Sequence, residues 1–241
     1  MSVPVEILLL ALAAVTLSTF VQFATGSGFG VLGGPLLMIV DPRLVPGPLL
    51  LLTLVVMAAV VVVERRGLRH LDLLWAALGG IPAAVGALWL VRVMDQQVTE
   101  VVVGAAIALG TIASLAGWRG RQNRGTLAAA GVLGGALSTI AATPGPPVVV
   151  VYRADDPSRY RANLSLFFLT TTLVSLAVYA VSGDLGRGDL EVAAWLVPGV
   201  GLGALVARVL VRRIPAGAIR PAALWLCLVS AVGLLGGALA G

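Results

Sequence analysis

Seven stretches of this chain are apolar enough and long enough to cross a lipid bilayer, and they constrain nearly everything else about it. They run over about residues 4–24, 46–63, 71–92, 98–118, 162–182, 191–211 and 217–240, against the roughly 20 residues a helix needs to span the hydrocarbon core. No Asp or Glu sits in the middle of any of them: Glu6, Glu64, Asp72, Glu100 and Glu191 all fall at or near the ends. Of the 241 residues, 59% are hydrophobic and only 11% charged. A soluble domain carries about 25% charged residues, so this chain has too few charges to cover a water-exposed surface. Intrinsic disorder is excluded by the same figures. The length allows about eight spans with short loops and leaves no room for a large soluble domain. The fold class is an all-α polytopic membrane protein, with the lipid bilayer as its first partner.

The basic residues are all arginines, and they lie in short clusters between the apolar runs. That pattern lacks the continuous basic face with interleaved aromatics that nucleic-acid binding requires. Cys227 is the single cysteine and forms no intramolecular disulfide, and His70 has no second His or Cys nearby to share a metal. No cofactor is expected. Glu6 stands where a signal peptide would need positive charge, so the N-terminal run reads as a retained helix.

Two stretches, 26–40 and 126–152, do not fit a simple span. A helix over 126–152 would be about 40 Å long, and Thr143-Pro144-Gly145-Pro146-Pro147 cannot continue one, because proline lacks the N–H and clashes with the preceding turn. Gly26, Gly28, Gly30, Gly33, Gly34 and Pro35 interrupt the first stretch in the same way. Arginine placement decides whether each stretch runs on or turns back, since cytoplasmic loops hold the excess of basic residues. If both turn back as hairpins, Arg65, Arg66, Arg69, Arg119, Arg121, Arg124, Arg153, Arg159, Arg161, Arg208, Arg212, Arg213 and Arg220 fall on one side, and only Arg43, Arg92 and Arg187 on the other. The hairpin reading places both termini outside the cytoplasm. It divides the chain into two inverted repeats, 1–118 and 126–241, joined by a cytoplasmic linker at 119–125. Each repeat opens with a broken helix and continues with three spans, a common plan for secondary transporters.

Non-helical backbone at membrane depth must be buried in protein or line a watery cavity. A helix that restarts after a break presents free N–H groups and a partial positive charge, and glycine lets an anion approach closely. The expected anion site therefore comprises Gln22, Thr25, Gly26, Ser27, Gly28, Phe29 and Gly30 at the first break and Thr143, Pro144, Gly145 and Pro146 at the second. Ser138 one turn earlier either lines the cavity or bonds back to its own helix, and Asn163 either orients the second hairpin or caps a helix. Trp75, Trp89, Trp118, Trp195 and Trp225 near span ends fit interfacial anchoring. Buried carboxylates of the kind that relay protons are not visible, and no nucleophile–base pair or nucleotide loop suggests an enzyme. The competing reading is a membrane-embedded assembly or interaction protein whose glycines only pack helices. Two breaks at equivalent places in two halves favour transport.

The run GSGFGVLGGPLL at 26–37, with GVLGGALSTIAATPGPPVVVVY at 131–152 and RYRANLSLFF at 159–168, resembles the two motifs of the TauE/SafE (TSUP) family of sulfite exporters. The resemblance covers nearly the whole chain. It implies a transporter of a small sulfur-containing anion (sulfite, a sulfonate, thiosulfate or a related organosulfur anion) across the inner membrane, with a coupling proton or cation left open. Phe29 interrupts the first glycine cluster, and Pro144, Pro146 and Pro147 replace glycines in the second.

Overall fold

A computed structural model describes residues 4–69, 71–118, 120–211 and 216–240. His70, Arg119, Arg212, Arg213 and the extreme termini lie outside the described residues, as does the side chain of Arg220. Among the described residues there are ten α-helices: α1 (Val5–Thr25), α2 (Phe29–Val40), α3 (Gly47–Val63), α4 (Leu74–Val93), α5 (Gln96–Leu115), α6 (Arg124–Ala141), α7 (Gly145–Val151), α8 (Pro157–Ser182), α9 (Arg187–Leu210) and α10 (Ala216–Ala240). Six of these, α1, α4, α5, α8, α9 and α10, are long and apolar enough to cross a membrane, and α2 and α3 are shorter apolar helices. The broken stretches are hairpins. Gly28, just before α2, lies against Val21 of α1, and a Cβ on Gly33 would stand 3.3 Å from the Ser18 hydroxyl, so α2 runs back along α1. Likewise a Cβ on Gly134 of α6 would meet the Pro144 carbonyl at 2.8 Å and Val148 at 3.3 Å.

Each turn has a local cause. Gly26 closes α1 with φ +85°, where a side chain would be strained, and its N–H bonds back to the Gln22 carbonyl. Ala142 closes α6 in the same left-handed region, φ +53°, without glycine's freedom. Two bonds hold it there, Ala142 N–H to the Ser138 carbonyl at 2.9 Å and Thr143 N–H to the Leu137 carbonyl at 3.2 Å.

Helix pairing follows a pattern. α1 packs on α9 as α6 packs on α4; α2 touches α10 as α7 touches α5; α3 meets α8, and α5 meets α10. Exchanging α1–α5 for α6–α10 leaves these pairings unchanged. The closest approach is between α4 and α6, where Gly131 lies on the Ala76 backbone and Gly135 on that of Gly80. Small residues let membrane helices meet backbone to backbone, because packing rather than solvent exclusion joins them.

Loop contacts sort the arginines into two ends. Arg161 pairs with Glu64 at 2.7 Å and Arg159 with Asp72 at 2.6 Å. Arg153 donates to the Gly120 carbonyl at 2.5 Å, and Arg124 lies over the Trp75 ring. These contacts gather 64–69, 71–75, 120–124 and 153–163 at one end. At the other, Arg92 reaches Asp184 at 3.4 Å, Arg43 pairs with Asp41, and Gly47 abuts Asp189 beside Arg187. Trp89, Trp118, Trp195 and Trp225 point outward, each more than half exposed.

Candidate functional site

Gln22 is the hub of the first break. It is fully buried on α1, one turn before the bend, and its Oε1 accepts from the N–H groups of Gly28 at 2.8 Å and Phe29 at 3.0 Å. These are the first two of the four N–H groups that a helix start leaves without partners. The next two, from Gly30 and Val31, have no preceding turn of α2 to bond to, and both residues line a pocket beside the bend. Gln22 Nε2 donates to Ser165 Oγ at 3.4 Å and points at Met57 Sδ at 3.6 Å. The break is therefore not an open set of donors, as the glycine pattern suggests, but one whose leading donors a side-chain carbonyl already holds.

The hydroxyls are also largely committed. Thr25 donates to the Val21 carbonyl at 2.9 Å. Thr143 donates to the carbonyls of Ala141 at 2.9 Å and Gly30 at 3.0 Å, the latter across the interface between the two breaks. Ser27 differs: its hydroxyl bonds to no described residue, and it lines both cavities described below.

The second break offers few donors. Pro144, Pro146 and Pro147 carry no N–H, so the start of α7 is nearly stripped of them. Its glycine faces protein: a Cβ on Gly145 would meet Val31 Cγ2 at 2.8 Å. Gly28 is similarly close to Val21, so a Cβ on either glycine would collide with a side chain of the first hairpin. The two breaks do meet. A Cβ on Gly30 would stand 2.6 Å from the Ala142 carbonyl, and one on Gly34 2.8 Å from Thr143 Oγ1.

Two spaces lie at this junction, with Ser27 and Val31 in the walls of both. The inner pocket, walled by Gln22, Ser27, Gly30, Thr53, Pro144 and Gly145, has room for about one water molecule, about 10 Å³. The outer is a vestibule of about 850 Å³ reaching from Ser27, Gly28 and Val31 past Pro146 to Arg153, Tyr160 and Arg161 at the arginine-rich end. Thr25 lines it as well. Phe29 does not: its ring is fully buried in the apolar core, and only its N–H belongs to the site. Ser138 borders neither space and accepts from Ser175 Oγ at 3.2 Å.

A family model described as sulfite exporter TauE/SafE matches residues 10–234, nearly the entire chain and both hairpins. The protein belongs to the TauE/SafE family. It is thus an integral membrane protein of a family that moves an anion across the membrane. Neither a curated protein nor a solved structure matches the chain significantly.

In this TauE/SafE protein a polar network, of which sequence reasoning singled out only Asn163, adjoins the vestibule at Tyr152. Asp72 accepts from Arg159 Nε at 2.6 Å, Tyr152 at 2.9 Å and Asn163 at 3.0 Å. The Arg159 guanidinium, with the Tyr152 hydroxyl, holds the Asp72 carboxyl below the usual carboxylate range against the opposing effect of burial. Asn163 also donates to the Tyr152 hydroxyl at 3.0 Å and accepts from Arg69 N–H at 2.8 Å. It therefore ties the end of the second hairpin to α8 and does not cap a helix; Asp156 caps α8. Arg161 lies against Gly26, so α8 touches both hairpins within one turn.

Proposed function

We propose that this protein carries a small sulfur oxyanion (sulfite, a sulfonate or another organosulfur anion) by alternating access between two inverted repeats, 1–118 and 126–241, linked through 119–125. The observation that carries this reading is the vestibule that ends on the first break at the point where the two breaks touch. The arginine-rich end is cytoplasmic in this reading, which puts both termini outside and makes the open vestibule inward-facing. Arg153 and Arg161 at its mouth raise the local anion concentration. At its floor the anion meets the Ser27 hydroxyl and the α2 N-terminus, where it replaces Gln22 Oε1 on the Gly28 and Phe29 N–H groups and gains those of Gly30 and Val31. Helix N-termini favour anions through aligned dipoles and unpaired N–H groups. The one-water inner pocket means that this exchange must widen the junction. Widening it pulls on the Thr143–Gly30 bond, which links substrate arrival to movement of one hairpin against the other.

The test is uptake into liposomes holding the purified protein, measured for sulfite, thiosulfate, sulfonates and non-sulfur anions. Selective, saturable uptake of a sulfur anion is the expected result; equal leakage of all anions, or none, would overturn it. Orientation is checked separately by cysteine labelling in intact cells, with Cys227 replaced. Asp184→Cys should react from outside and Arg121→Cys should not.

A further inference from the structure

Serine and threonine inside an apolar helix can bond back to the carbonyl one turn earlier. Thr16, Thr25, Thr53, Thr170, Thr171 and Ser175 all do so. Ser18 and Thr172 do not. Each is fully buried, and neither hydroxyl has a hydrogen-bond partner among the described residues. A buried hydroxyl left unpaired is costly, and such a group in a folded protein calls for an explanation. Thr19 shares the property but lies on the α9 side of α1, where a Cβ on Gly203 would stand 2.6 Å from Thr19 Cβ.

Ser18 and Thr172 continue the walls of the inner pocket toward the end opposite the arginines. Ser18 precedes Gln22 by one turn on the same face of α1, and Gln22 lines that pocket. Thr172 follows Phe168, another lining residue, by one turn on α8, on the face from which Ser165 accepts the Gln22 amide. The end of α1 lies against Arg161 near the start of α8, so both steps lead away from the arginines. On α3, Met57 and Thr53 line the pocket, and Leu49, one turn farther out, is fully buried. Its two methyls cover the bare backbones of Gly33 and Gly34, 3.7 and 3.9 Å from where a Cβ would stand. The Ser18 hydroxyl lies 3.3 Å from that same point over Gly33. Farther out, Ala11, Val15, Leu37 and Leu44 pack as apolar core.

We propose that Ser18 and Thr172 form a second station for the anion, on the outward half of its path, which Leu49 plugs in this conformation. The proposal rests on the transporter reading and supplies the half of the route which that reading leaves unassigned. An anion moving from the first break toward the far end loses the helix N–H groups and needs other donors in their place. Two hydroxyls with no competing acceptor offer them. A hydroxyl already bonded to its own helix would first have to give up that bond, so the lack of a partner is what fits these two to transient use. Being neutral, they hold the anion weakly enough to release it. The bare backbone of Gly33 leaves the passage its width once the Leu49 side chain swings aside.

The test is side-specific cysteine labelling of the full-length protein carrying Cys227→Ser, in intact cells and in inverted vesicles. The probe is a small, membrane-impermeant methanethiosulfonate bearing a sulfonate group. Ser18→Cys and Thr172→Cys should react from the side on which Asp184→Cys reacts, and Thr19→Cys from neither. Adding Leu49→Ala should speed the Ser18→Cys reaction at least about tenfold. In transport, Ser18→Ala and Thr172→Val should raise the half-saturating sulfite concentration on that side about two- to tenfold, the range set by one neutral hydrogen bond. On the arginine-rich side it should not change, an asymmetry that a folding defect does not produce. Failure of both cysteines to react from the Asp184 side, reaction of Thr19→Cys as fast as theirs, or equal shifts on both sides would overturn the station. Should Thr172→Cys not fold, Ser18→Cys, which only exchanges oxygen for sulfur, decides alone. Sulfite uptake with both cysteines sealed from that side rejects this station alone, and the expected labelling with no uptake of any sulfur anion rejects the anion reading alone.

Discussion

The two breaks look alike in sequence and behave differently in the structure. At the first, the chain resumes as a helix of 12 residues whose leading N–H groups are intact and held by the Gln22 amide. At the second it resumes for 7 residues behind prolines that have no N–H to offer, and the polar groups gather instead on the preceding helix. One break is rich in donors and suited to anions; the other has been nearly stripped of them by its prolines and is packed against protein. A pair of turns with similar composition can therefore differ in what they offer a ligand, because prolines remove the N–H groups at one and the side chain one turn earlier differs: Gln22 in α1, Ser138 in α6.

The sharpest way to break this comparison is Gln22→Glu. A carboxylate at that position keeps the bonds to Gly28 and Phe29 N–H and makes them charge-assisted, so the fold should survive. It also places a fixed negative charge where the substrate must sit. Uptake should fall at least about a hundredfold, since like charges in a low-dielectric site repel by several kcal/mol, while the melting temperature stays near that of the wild type. Normal uptake would move the anion away from the first break.

Next in size is the junction where the breaks touch. Gly30→Val drives a Cβ into the Ala142 carbonyl, a backbone atom that cannot rotate away. Overpacking of this kind costs about 1–3 kcal/mol, and lower folded yield with lost uptake is expected. Gly34→Ala meets Thr143 Oγ1, a hydroxyl that can turn, so its effect should be clearly smaller. Equal damage from both would mean that the junction is uniformly rigid, contrary to its role as a moving contact. Thr143→Val removes the hydroxyl bond to Gly30 while keeping the volume. A neutral hydrogen bond contributes about 0.5–1.5 kcal/mol net, so uptake should change about two- to tenfold.

What the sequence could and could not reveal follows from the range of the forces involved. Span positions were legible because lipid imposes hydrophobicity residue by residue: the run expected at 46–63 is the helix Gly47–Val63, and that at 217–240 is Ala216–Ala240. The hairpins were legible because glycine and proline act on the local backbone and because arginines mark one end. Side-chain destinations were not. Thr25 and Thr143 have the composition of ligand donors, yet they bond to carbonyls that three-dimensional packing brings near. Gly145 has the composition of a cradle and faces Val31. The capping role of Gln22 left one signal: an amide in an apolar helix, one turn before the bend, must find partners. Of the network of Asp72, Tyr152, Arg159 and Asn163 only Asn163 was legible, as a residue that could orient the second hairpin; its partners were not, since they lie up to 91 residues away.

That network supplies the smallest expected effect, and it separates hairpin anchoring from hairpin chemistry. Asp72→Asn removes the charge but leaves an oxygen that can still accept from Tyr152 and Arg159. Because the native carboxyl titrates below its ordinary value of 3.8, its contribution is fully present above that value and is lost as pH falls through the lowered native one. The wild type should therefore show no pH dependence from this group between about pH 5 and 8. The variant should melt a constant 1–2 °C or so lower across that window, because the pair is partly exposed and screened. Toward about pH 3 the two curves should converge, since a protonated Asp72 has also lost its charge. Thermal melts of both proteins from pH 3 to 8 check this. Uptake at neutral pH should be nearly unchanged, as Asp72 holds the second hairpin at its end and not at its break. A large loss of uptake with an unaltered melt would instead put Asp72 on the path of the anion, and the division between an anchored second hairpin and a substrate-binding first one would fail.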